Sequence, residues 1–108
     1  MRNYKQKMNK YRLPKDRYRE LKFFCCSADD EKFEVIDAAI RAVFGTVNDP
    51  LAYYIQLDMT EDYNWAKLEV MQIPCSRDTF RLYRAKVYYM LDKILTGREE
   101  MCNEKLSS

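Results

Sequence analysis

The chain has no histidine. That absence removes the commonest general base, and with it most hydrolase and triad chemistries. Its four cysteines, Cys25, Cys26, Cys75 and Cys102, form no C-x-x-C pair. A zinc site would need unusual spacing, so free, partly buried thiols are expected, with no metal and no cofactor. Only two glycines and three prolines occur in 108 residues, which leaves few tight turns and favours helices. No apolar run approaches the roughly 20 residues of a membrane span. The basic N-terminus lacks the apolar segment of a signal peptide, so a cytoplasmic protein is expected. There is no glycine-rich phosphate loop, no repeat and no low-complexity stretch, and nucleotide hydrolysis has no visible machinery. Glu34 and Asp37 are carboxylates at i, i+3, but without a third ligand or a histidine they read as a solvated face. No catalytic constellation remains, and an enzyme is not expected.

What is present is hydrophobic content of 47% and aromatic content of 14%, enough for one domain with a modest core. The net charge of +2 is unevenly spread. Residues 1–22 hold nine Lys/Arg against two Asp/Glu, residues 23–76 three against ten, and residues 77–108 seven against five. Two basic ends therefore flank an acidic middle, and basic ends suit a polyanion such as DNA.

Residues 1–13 read as a basic flexible arm, with Arg2, Lys5, Lys7, Lys10 and Arg12 and no acid. Residues 14–96 read as a helical domain. Pro14 suits the first turn of a helix running to about Cys25, with Tyr18, Leu21 and Cys25 on one face. Ser27 or Asp29 caps the next helix, where Phe33, Ile36, Ile40 and Val43 or Phe44 keep helical spacing and Gly45 marks the end. Asn48-Asp49-Pro50 starts a third helix over Leu51–Asp58. Thr60-Glu61-Asp62 opens a fourth, whose buried stripe is Trp65, Leu68 and Met71 or Gln72. Residues 97–108 read as a polar C-terminal tail, with Thr96-Gly97 stopping the last helix.

The most informative stretch is 63–95. A short helix is broken at Gln72-Ile73-Pro74-Cys75, since Pro74 has no amide donor and disfavours helical geometry at Ile73. Ser76 is placed to cap the following helix and Asp78 adds negative charge near its positive end. Phe80, Tyr83, Val87, Leu91 and Ile94 then form one apolar stripe. Arg77, Arg81, Arg84 and Lys86 lie on other faces near the helix start. The fold expected is all-α, with about five helices, the last two forming a helix-turn-helix with a long C-terminal recognition helix.

The run IPCSRDTFRLYRAKVYYML, preceded by a helix with Trp65 and Leu68, resembles the helix-turn-helix of small phage transcriptional regulators of the RinA/ArpU type. These in turn resemble region four of bacterial sigma factors. The segment from Leu13 to Lys22 is similar to the opening of phage proteins of this kind. The resemblance covers under half of the chain and implies sequence-specific binding of double-stranded DNA. Arg77 and Arg81 are then the candidates for base edges, because guanidinium groups read guanine well. Arg84, Lys86, Lys67 and, where its hydroxyl is not used up by the cap, Ser76 would hold phosphates.

A second expectation comes from the acidic middle. A small phage protein of this build could bind a host protein, RNA polymerase or a defence nuclease such as a CRISPR effector, and inhibit or redirect it. The residues that favour it are Asp29–Glu34 with Asp37, Asp58, Glu61 and Asp62. The long last helix, with Tyr88, Tyr89 and Leu95 widening its apolar surface, also suits a homodimer.

Overall fold

The structure is a computed structural model that describes residues 10–27, 29–46, 49–61, 65–73 and 75–107, with side chains through Gly97. Among these residues there are five helices and no strand. In chain order they are α1 (Lys15–Cys26), α2 (Asp30–Phe44), α3 (Pro50–Glu61), α4 (Trp65–Val70) and α5 (Arg77–Ser107). None is long and apolar enough to cross a membrane.

Local chemistry sets most of the ends. Pro14 precedes α1, and its carbonyl accepts from the Tyr18 amide at 2.9 Å. Of the two candidate caps for α2, Asp29 is the one used: its carboxylate accepts from the Lys32 amide at 3.0 Å. Ser27 instead donates its hydroxyl back to the Phe23 carbonyl at 2.8 Å, closing α1. Gly45 ends α2 in the left-handed region at φ 79°, which glycine adopts without a Cβ penalty. Asp49 caps α3 by accepting from the Leu51 amide at 2.9 Å. Asn48 and Pro74 lie outside the described residues, as do Asp62 and the arm 1–9.

Two expected boundaries are corrected. α3 does not stop at Asp58. It runs on through Thr60 and Glu61, which therefore open no new helix. Thr60 Oγ1 donates to the Gln56 carbonyl at 2.7 Å, so its hydroxyl serves α3 from within. Nor does Thr96-Gly97 stop the last helix, which continues to Ser107. A helix-ending glycine works by taking positive φ, and Gly97 does not take it. A single helical glycine costs only about 1 kcal/mol, too little to end a 31-residue helix. The polar segment 97–107 is thus part of α5.

The main seam of the core lies between α2 and α5. Val35, Ile36, Ala39 and Ile40 meet Phe80, Val87, Tyr88 and Leu91, with Leu21, Cys25, Ala52, Ile55, Met59 and Leu68 completing the cluster. Full burial of an Ile, Val or Leu contributes about 1.5–3 kcal/mol each, so this seam fixes α5 on the body of the protein. α1 packs chiefly on α3, and α3 also meets α2 and α5. Tyr88 is 1% exposed and Leu95 packs on the core, so neither widens an exposed dimer surface. Met71 and Gln72 are exposed and do not extend the buried stripe of α4, which is Leu68 with the half-buried Trp65. Trp65 belongs to the core edge: its ring lies 5.7 Å from that of Phe80, and its indole N–H donates to Glu69 Oε1.

Candidate nucleic-acid interface

The turn between α4 and α5 opens on backbone hydrogen bonds. After Val70 the Gln72 amide donates to the Glu69 carbonyl at 3.0 Å, and the Ile73 amide donates to the Leu68 carbonyl at 3.3 Å. These paired bonds are those of a Schellman motif, with Gln72 at φ 59° in the position usually held by glycine. Ile73 folds back onto the core, which supplies the apolar contact such a motif favours. Ser76 then caps α5. Its carbonyl accepts from the Phe80 amide at 3.0 Å and its hydroxyl accepts from the Thr79 amide at 3.2 Å. The same hydroxyl donates to Thr79 Oγ1 at 3.0 Å, so its donor and one of its acceptor positions serve the cap.

The other expected site residues do not share one environment. Arg77 and Arg81 are exposed, four residues apart, at the start of α5, and no carboxylate among the described residues pairs with either. Arg84 does not stand free for phosphate. Its Nη1 lies 3.3 Å from Asp58 Oδ2, the carboxylate being only 8% exposed, and its guanidinium lies 5.8 Å from the centre of the Phe80 ring. The sequence could not show this, because Asp58 is 26 residues away on another helix. Asp58 is also removed from the acidic surface, whereas Asp29, Asp30, Glu31, Glu34 and Glu61 remain exposed.

Lys86 lies on a different flank. At about 100° per residue it is rotated by about 140° from Arg81. Its Nζ sits 4.8 Å from the centre of the Tyr83 ring and 5.7 Å from that of Tyr11. Lys67 is exposed on α4. The sequence reading missed Tyr11, Tyr89 and Lys93 in this neighbourhood, although the spacing Lys86–Tyr89–Lys93 was there to be read. Lys93 Nζ lies 4.6 Å from the Tyr89 ring centre, and Tyr11 and Tyr89 pack edge to face with their ring centres 5.4 Å apart.

Two clefts of about 180 and 230 Å³ flank Tyr11, below the roughly 300–1,000 Å³ of ordinary ligand pockets. Among the described residues no cluster of three Cys, Asp or Glu could hold a metal ion. The Cys25 thiol is buried, and burial pushes its pKa up to about 12, so it is an inert core group. What the described surface does offer is exposed, unneutralised cations on one long helix. No family model, no curated protein and no solved structure matches the chain.

Proposed function

We propose that the chain is a sequence-specific DNA-binding protein, a phage or prophage transcriptional regulator of the type its 63–95 segment resembles. In this reading α4, the Schellman turn and α5 act as a helix-turn-helix, and the first turns of α5 enter the major groove. Arg77 and Arg81 read guanine edges. Lys67 and Lys86 contact phosphates. Arg84 acts through position: its bond to Asp58 ties α5 to α3 and so fixes the angle at which Arg77 and Arg81 are presented.

The observation that carries the reading is the pair Arg77 and Arg81, exposed and without a carboxylate partner among the described residues, at the capped start of a 31-residue helix. The positive end of the helix dipole adds to the attraction for phosphate there. The test is Arg77→Ala and Arg81→Ala, singly and together. Each change should cost roughly 1–3 kcal/mol of specific binding, with helicity by circular dichroism unchanged. Equal affinity of the double variant and the wild type at one salt concentration would end the reading.

A second reading has the domain dock on a host protein, RNA polymerase or a defence nuclease. It is favoured by an exposed apolar group beside the α4–α5 turn. Val70 is 84% exposed and Tyr53 53%. Tyr53 edges onto Tyr54, whose hydroxyl donates to the Met71 carbonyl at 3.2 Å. Under this reading Val70→Asp with Tyr53→Ser abolishes partner binding, whereas under the first it leaves base preference intact.

A further inference from the structure

Along α5, on the flank turned away from Arg81, aromatic rings and lysines alternate. Tyr83 stacks on Phe44 at 5.1 Å and carries Lys86 over its ring. Tyr11, from the segment before α1, packs edge to face with Tyr89 and also underlies Lys86. Lys93 lies over Tyr89. Lys86 and Lys93 are seven residues apart, two helical turns or about 10.5 Å. Neither is paired with a carboxylate among the described residues. Asp92, the acid next in sequence to Lys93, is bonded to Arg17 at 2.5 Å.

We infer that this Tyr11–Tyr83–Lys86–Tyr89–Lys93 ladder is a sequence-independent contact for the phosphodiester backbone of duplex DNA, separate from the base-reading start of α5. The inference rests on the DNA-binding reading for its partner and shares Lys86 with it, while Tyr11, Tyr83, Tyr89 and Lys93 are new to it. A lysine held over a ring has no carboxylate competing for its N–H donors or offsetting its field. Holding the stem also removes part of the rotamer freedom that binding would otherwise cost. The rings themselves are not base platforms. Tyr83 has Phe44 and Lys86 as neighbours, and Tyr89 has Tyr11 and Lys93, so bases have no clear face to stack on. That favours backbone contact over single-strand binding. The exposed Lys10 and Arg12 adjoin Tyr11 in the chain.

The experiment compares the full chain with Lys86→Gln/Lys93→Gln, and with Lys86→Arg/Lys93→Arg as the charge-keeping control. Binding to a random 20-base-pair duplex is titrated from 50 to 300 mM salt. Loss of two phosphate contacts should flatten the plot of log affinity against log salt by about 1.8. The arginine variant should restore the slope, and base preference should not change in either. Normal sequence preference with an unchanged slope overturns the ladder and leaves the DNA-binding reading standing. A flattened slope in a protein with no base preference keeps the ladder and removes that reading. Absence of duplex binding removes both. Binding of poly-glutamate with the same lysine dependence but none of the duplex would assign the ladder to an acidic protein partner and overturn the proposal.

Discussion

Arg84 on α5 and Asp58 on α3 are joined at 3.3 Å, with the carboxylate almost wholly buried. The pair holds the helix that carries Arg77 and Arg81 to the helix beneath it. Removing Arg84 takes the cation from beside an almost wholly buried carboxylate, and loss of one charge-assisted bond costs about 1.5–3 kcal/mol. Arg84 is 30% exposed and Asp58 keeps a further partner, so we expect Arg84→Ala to lie at the low end, about 1.5 kcal/mol. Asp58→Leu with Arg84→Met should recover most of that loss. Urea unfolding measures all three; a loss under about 1 kcal/mol for Arg84→Ala would mean that the pair does not hold α5.

The Tyr88 hydroxyl is buried and has no hydrogen-bond partner among the described residues. An unsatisfied buried polar group costs about 1–3 kcal/mol. Tyr88→Phe keeps the ring that packs on Tyr18 at 4.7 Å. The variant should therefore be more stable by about 1 kcal/mol in the same assay. A destabilised variant would show that the hydroxyl is bonded.

Gln72 holds a left-handed backbone at φ 59°, which costs an L-residue about 1–2 kcal/mol. Glycine removes that cost and loses part of the gain to its greater freedom when unfolded. Gln72→Gly should raise stability by about 0.5–1 kcal/mol. Thermal melts of the two proteins decide it, and a lower melting temperature for the glycine variant contradicts the turn geometry.

Stability should decline in alkali. Burial raises the Cys25 thiol from an ordinary value near 9 to about 12 in the folded state, and burial also raises the Tyr88 phenol. A group whose folded pKa is raised contributes stability that is complete below its unfolded pKa and is lost as pH rises through the folded value. The stability curve should therefore be flat with respect to Cys25 up to about pH 9 and fall from there toward pH 12. Cys25→Ala should lower the whole curve through the cavity it leaves and flatten its fall between pH 9 and 10. An equal fall in both proteins would show that Cys25 ionises no less easily in the folded state.

Much of this architecture was legible in the residues. Helix starts at Pro14, Asp49-Pro50 and Ser76, and the end at Gly45, follow from local side-chain and backbone chemistry that acts within four residues. The stripe Phe80, Val87 and Leu91 is periodic and is buried. What failed needed distant partners or conformational detail. Asp58 and Arg84 each looked like a solvated surface charge until the fold joined them. Tyr88 lies off the simple stripe and is buried because α5 meets the core across a broad face. Gly97 looked like a stop because composition does not reveal φ. The cation–aromatic ladder depends on Tyr11, far from α5 in sequence, and only part of it was periodic.

The most direct test of the account is selection from a random duplex pool by the full-length protein at physiological salt, repeated with Arg77→Ala/Arg81→Ala. The account predicts enrichment of a defined, guanine-containing motif by the wild type, bound far more tightly than the starting pool, and loss of that enrichment in the double variant while weak binding to all duplexes persists. A wild-type pool that stays random, or a double variant that enriches the same motif, would contradict it.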